Sequence, residues 1–156
     1  MKLEKTLYIK RPIGEITING KTQQNLFTDA GIKKIYRPGQ HTIFSTSNGG
    51  LFRRLHVGNG TEELTKESTE LSGKIAHTQS ISNAILTYHT MDGERYAQFR
   101  ATYTFPAGVV EDEITEIMLS DTDDEMICGT TLQYPVEIDP QHDLVITYLI
   151  RMPIIP

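Results

Sequence analysis

A chain of 156 residues, 38% hydrophobic and 22% charged, is long enough to bury a core as one domain and too apolar to stay disordered. Its net charge of −5, with basic residues scattered apart from Lys33, Lys34 and Arg37, argues against a phosphate-binding surface, and no apolar run is long enough to cross a bilayer. The one cysteine, Cys128, excludes an intramolecular disulfide framework and suits synthesis in a reducing cytoplasm, so stability has to come from packing or partner subunits.

The opening Met1-Lys2-Leu3-Glu4-Lys5 lacks the apolar stretch and cleavage site of a secretion signal, so export by the secretory route is not expected. Residues 6–10 and 13–18 are short β-rich runs separated by Arg11-Pro12, and Asn19-Gly20 closes the second with a turn signal. Asn25 is placed to cap a helix in which Leu26, Phe27, Ala30 and Ile35 share a face while Lys33 and Lys34 point to water. Gly31 weakens that helix by about 1 kcal/mol relative to alanine.

Residues 37–50, rich in Gly, Ser and Thr and without periodicity, predict an exposed loop. A strand resumes over 52–57 and ends at Gly58-Asn59-Gly60, residue types that tolerate positive φ. Residues 61–76 are polar, with only Leu64, Leu71 and Ile75 to bury and a short helix expected near 68–73. From residue 80 the β pattern strengthens. Residues 84–91 and 95–105 flank Asp92-Gly93, the dipeptide suited to a type I′ hairpin. Along the second arm Ala97, Phe99, Ala101, Tyr103 and Phe105 alternate with polar residues, which assigns them to the core. Pro106-Ala107-Gly108 turns the chain, residues 114–120 and 126–132 bracket the acidic turn 121–125, and 144–151 form a last long strand.

About eight strands, frequent turns and one or two short helices predict a mainly β, antiparallel β-sandwich, jelly-roll-like in outline. One domain is expected over 1–156, with 1–12 as an N-terminal arm and 153–156 as a short C-terminal tail.

Residue by residue, the chemistry is sparse. Asp121-Thr122-Asp123-Asp124-Glu125 spaces carboxylates closely enough for calcium, but Met126 stands where an EF-hand needs glycine and Leu132 where it needs glutamate, so the run reads as a solvated turn. Glu111-Asp112-Glu113 is a polar turn whose charge would steer a basic partner. His41, His56, His77, His89 and His142 show no zinc-ligand spacing; His56 and His89, in predicted strands, read as hydrogen-bonded structural residues. Cys128 lies in a predicted strand with no helix N-terminus to lower its pKa, which disfavours a Cys–His nucleophile. Gly58-Asn59-Gly60 lacks the Lys-Ser/Thr and helix of a phosphate loop. Tyr88, Tyr96 and Tyr103 offer a sugar-binding platform, against the commoner role of strand tyrosines in packing across a sheet. No catalytic, cofactor-binding or metal residue is therefore assigned.

The order of short motifs is more telling. Asn25-Leu26-Phe27-Thr28-Asp29-Ala30-Gly31-Ile32, Val57-Gly58-Asn59-Gly60, Ser68-Thr69-Glu70-Leu71, Phe105-Pro106, Glu116-Ile117-Met118-Leu119 and Val145-Ile146-Thr147-Tyr148 follow one another across residues 13 to 152. This series resembles a module of small tailed-bacteriophage virion proteins, also found at the N-terminal ends of some tail-fibre-type proteins. Met118 stands where that family has glycine. The resemblance implies a non-enzymatic structural subunit of the neck, collar, tail or baseplate, made in the host cytoplasm and resident in the virion. Its partners would be copies of itself and other virion proteins, with no cofactor, no direct nucleic-acid binding and no membrane insertion. The alternative is a receptor- or carbohydrate-binding module of a short tail fibre. Residues 6–10 would add a strand to a neighbour's sheet edge, and Ile154 and Ile155 would form an apolar tip.

Overall fold

The computed structural model describes residues 13–18, 21–36, 43–73, 75–111 and 113–153. The expected strand at 6–10 and arm at 1–12, the Asn19-Gly20 turn, residues 37–42 of the loop, His41, Asp112 and the tip at 154–156 lie outside the described residues.

In chain order the elements are β1 (Ile13–Ile18), β2 (Lys21–Phe27), α1 (Asp29–Ile35), β3 (Arg54–Gly58), β4 (Ile75–Ser80), β5 (Asn83–Met91), β6 (Glu94–Phe105), β7 (Ile114–Ser120), β8 (Met126–Val136) and β9 (Leu144–Pro153). The pairings are antiparallel, in the order β4-β3-β7-β8-β2-β1-β9-β6-β5. Strand β2 creates two leaves from this ribbon. It pairs with β1 from Ile18↔Lys21 to Gly14↔Asn25, then transfers to β8 at Leu26↔Gly129 and Phe27↔Cys128. One leaf holds β1, β9, β6 and β5, the other β8, β7, β3 and β4, and the chain steps between their free edges through Ile81-Ser82 alone. The mainly β, antiparallel, sandwich-like architecture is the one the sequence predicts.

The core lies between the leaves because period-two alternation sends one row of each strand inward. Phe99, Ala101, Tyr103 and Phe105 are buried, joined by Ile146, Tyr148 and Ile150 from β9 and by Leu55, Val57, Ile117, Leu119 and Ile127 from the other leaf. Burying each large apolar side chain contributes roughly 1.5–3 kcal/mol. The Asp92-Gly93 turn has φ of 52° and 78°, as a type I′ turn requires, and the β5–β6 register runs unbroken from Asn83↔Thr102 to Met91↔Glu94.

Three local expectations are corrected. Asn25 does not cap the helix: residues 21–27 are strand, and Thr28 caps α1, its Oγ1 accepting from Gly31 N at 3.0 Å. The polar Lys21-Thr22-Gln23-Gln24-Asn25 becomes strand because β1 pairs it along its length and the Gln23 side chain ties it to β8. The Gln23 side chain donates to Thr130 Oγ1 and the Thr131 carbonyl, both at 2.7 Å, and accepts from Gln133 N at 2.8 Å, bridging a register shift where β8 leaves its regular pairing. Second, the part of the 37–50 loop that is described is only partly at the surface, with 46–48 exposed as expected. Phe44 stacks on Phe99 at 4.8 Å and on Phe52 at 5.7 Å, and Gly49 and Gly50 are buried. Third, residues 68–73 form bends and irregular chain in place of a helix, and 75–80 form β4.

Candidate functional site

Three of the motif pieces, 57–60, 68–71 and 116–119, meet at the outward face of the β3–β7–β8 leaf, while Phe105-Pro106 closes β6 and residues 145–148 lie in β9, both of the other leaf. Strand β7 is apolar on both sides, since Ile117 and Leu119 enter the main core while Met118 joins Leu64, Leu71 and Met126 in a second cluster. A strand buried on both faces needs a cover, and residues 59–73 provide it. Met118, in the position where the resembled family has glycine, is fully buried there.

Glu116 fixes the cover in place. Its carboxylate is buried, with Oε2 accepting from Ser72 N at 3.1 Å and Ser72 Oγ at 2.8 Å, and Oε1 accepting from Gly73 N at 2.8 Å. A buried charge is tolerated when such donors replace its water. Gly60 makes the approach feasible, because a Cβ there would stand 2.0 Å from Ser72 Oγ and 2.5 Å from Glu116 Oε1. Further bonds fasten the segment to its surroundings: Thr115 Oγ1 donates to the Gly60 carbonyl at 2.6 Å, Leu64 N to Thr131 Oγ1 at 3.0 Å, Asp29 N to the Lys66 carbonyl at 2.7 Å and Met126 N to the Thr69 carbonyl at 2.9 Å. Gly58-Asn59-Gly60, Ser68 to Leu71 and Glu116 to Leu119 thus belong to one anchored unit.

A second polar cluster lies beside it. His56 is 2% exposed, with Nδ1 2.7 Å from Thr78 Oγ1 and Nε2 2.6 Å from Ser120 Oγ. Ser120 donates its proton to the Asp121 carbonyl at 3.1 Å, so its oxygen is left to accept from Nε2–H while Thr78 donates to Nδ1. This is the reverse of a general base withdrawing a serine proton, and Ser120 has no exposed surface. His56 is the hydrogen-bonded structural residue that the sequence predicts.

Burial holds the His56 pKa below its ordinary value, with Asp124 opposing and Arg54 reinforcing the shift. Unfolding therefore releases a group that binds a proton more readily. Stability should be at full strength above about pH 6.5 and fall as the pH drops from there toward the lowered folded value. Urea midpoints between pH 7.5 and 5 should decline, and His56→Asn should remove that component; an unchanged slope in the variant would assign the effect elsewhere.

The acidic turn divides its carboxylates among three cations. Asp121 lies 3.6 Å from Arg53 Nε, Asp124 accepts from Arg54 at 2.9 Å, and Asp123 pairs with Lys34, which also stands 3.8 Å from Glu125. Desolvation pushes the Asp123 carboxyl up, but hydrogen bonds from Lys34 and Glu125 N, with the Lys34 charge, outweigh it and hold the group below its ordinary value. The turn is a surface clamp among α1, β3 and β7. Lys34 is accordingly drawn to the turn, whereas Lys33 does face water.

The remaining residues do not converge. Cys128 is buried, and burial pushes the Tyr103 and Tyr148 phenols well above their ordinary value, with Cys128 adding to the shift of both. Tyr103 is fully buried and donates to the Phe52 carbonyl, Tyr88 is 61% exposed on β5, and Tyr96 lies on the opposite face, donating to Glu94 Oε2 at 2.6 Å, so the three build no common platform. His89 sits 2.8 Å from Thr87 Oγ1, His142 sits 2.6 Å from Asp139 Oδ2, and His77 is half-buried on β4. Glu111 and Glu113 are exposed. Among the described residues no helix is long and apolar enough to cross a membrane. No protein-family model, curated protein or solved structure matches the chain.

Proposed function

We propose that this chain is a non-enzymatic structural subunit of a tailed-phage virion, assembling in the neck, collar, tail or baseplate through contacts with copies of itself and with other virion proteins. The observation that carries the reading is the meeting of its motif pieces. Val57-Gly58-Asn59-Gly60, Ser68-Thr69-Glu70-Leu71 and Glu116-Ile117-Met118-Leu119, dispersed over some sixty residues, are joined by the Glu116 carboxylate and the Met118 cluster. Motifs that maintain one covered leaf belong to a body whose purpose is its shape. The reactive side chains are likewise committed to the fold: Ser120, His56, Cys128 and Glu116 are all buried. Its residence would be the particle, after synthesis in the host cytoplasm, without direct contact to nucleic acid.

The test is to raise antibodies to the purified chain, label intact tailed-phage particles by immunogold, and quantify the chain in them by mass spectrometry. Labelling at one end of the tail or at the neck, with a fixed copy number per particle, is the expected result. Absence from purified particles would overturn the reading.

A further inference from the structure

Among the described residues strand β5 is the free edge of its leaf, and the strand itself lacks the devices by which proteins protect such edges. Its nine residues, Asn-Ala-Ile-Leu-Thr-Tyr-His-Thr-Met, include no proline, no glycine and no Lys, Arg, Asp or Glu, and its pairing to β6 has no bulge. Sheet edges that stay unpaired are ordinarily blunted by a short length, a charge, a proline or a bulge. The other free edge, β4, has six residues, and its pairing shifts register at Val57/Gly58. Beside the bare β5 edge stand two large exposed apolar side chains, Ile85 at 50% and Tyr88 at 61%, one on each face of the strand.

We propose that the β5 edge is an interface between two copies of this chain, which join antiparallel about a twofold axis at Thr87 and continue one leaf into the next. Two features select a second copy as the occupant. The first is register. The two-residue I′ turn makes Met91 and Glu94 a hydrogen-bonded pair, so alternation directs the backbone groups of Ala84, Leu86, Tyr88 and Thr90 away from β6. Centred on Thr87, antiparallel self-pairing sets Leu86 opposite the partner's Tyr88 and Ala84 opposite the partner's Thr90, so all four outward residues meet hydrogen-bonding partners. Tyr88 then covers an apolar neighbour instead of water, and no like charges meet within the strand.

The second feature is the placement of the edges. Only Ile81-Ser82 separates β4 from β5, so both free edges open on the same side of the sandwich. Edge-to-edge joining therefore cannot propagate from one side of a subunit to the other, as an open chain or ring requires, whereas an isologous pair closes on itself. The inference supplies a surface for the self-association proposed above and stands even if the virion assignment fails. A ring built through other surfaces would leave that assignment intact and overturn this one.

The experiment uses the full chain. At concentrations on the order of 10 µM, light scattering should give twice the 17.6 kDa mass of one chain. Tyr88→Pro removes an outward N–H without touching the β6 pairing, and Tyr88→Lys places a charge on each side of the axis; both should return the mass to one chain while circular dichroism stays native. Thr87→Cys supplies an independent readout, since facing residues of a non-hydrogen-bonded pair have Cα atoms about 4.5 Å apart, within disulfide reach. Mild oxidation should cross-link Thr87→Cys nearly completely and Val145→Cys, exposed on β9, not at all. A native chain that remains monomeric, a dimer indifferent to Tyr88→Lys, or equal cross-linking of the two cysteine variants would each refute the interface.

Discussion

Gly31→Ala should destabilise the protein by about 3 kcal/mol, although alanine is the better helix former by about 1 kcal/mol. A Cβ on residue 31 would lie 2.0 Å from the Ile127 carbonyl oxygen, 2.6 Å from its carbon and 2.7 Å from its Cα. All three are backbone atoms of β8, so no side-chain rotation relieves the clash. Either α1 lifts from β8 or the strand bends. Lifting the helix also disturbs Thr28, whose Oγ1 accepts from Gly31 N while donating to the Met126 carbonyl at 2.7 Å. For a domain of this size the loss corresponds to a fall in Tm of roughly 10 °C. A Gly31→Ala variant that melts at or above the native temperature would show that α1 does not sit this close to β8.

Glu116→Ala should cost about 2–4 kcal/mol, and most of the damage should be local. The substitution deprives Ser72 N, Gly73 N and Ser72 Oγ of their acceptor and leaves a gap beside Gly60. The cover over Met118 then loses the bond that holds its far end. Native-state hydrogen exchange should report faster exchange at Leu64, Ser72 and Gly73, while amides of the β6–β9 ladder keep their protection. Glu116→Gln keeps one acceptor oxygen but turns an amide group toward donors, and should fall between the two. Uniform loss of protection across both leaves would mean that Glu116 supports the whole sandwich and not the cover alone.

How much of this was legible in the sequence depended on whether a segment's structure is locally encoded. The β5–β6 hairpin was readable because Asp92-Gly93 can satisfy a turn with positive φ at both positions and because Phe99, Ala101, Tyr103 and Phe105 keep strict alternation. Strand β7 was located residue for residue, since an apolar run between an acidic stretch and an acidic turn has few other solutions. Strand β2 was not readable. Its polar residues gain strand structure from β1, β8 and the contacts of the Gln23 amide, which are more than a hundred residues distant in the case of β8. The same holds for Phe44, whose aromatic partners are Phe52 and Phe99 rather than chain neighbours. Glu116 was visible as part of a motif, but its role was not. The usable signal was the unbroken Ile117-Met118-Leu119, which marks a strand buried on both faces and hence one in need of a cover.

The position of β1 sets a schedule for the making of the molecule. It lies between β2 and β9 and meets the latter at Ile13↔Arg151 through Thr17↔Thr147, so the earliest described strand is completed by the last. At synthesis rates of about 5–20 residues per second, the ribosome needs on the order of ten seconds to deliver that partner after β1 has emerged. Throughout this interval Ile16 and the start of the β1–β2 hairpin have no opposing wall. The leaf that carries the bare edge thus closes only after β9 has emerged, and every copy must pass a period in which its nascent strands depend on being kept apart from those of neighbouring chains.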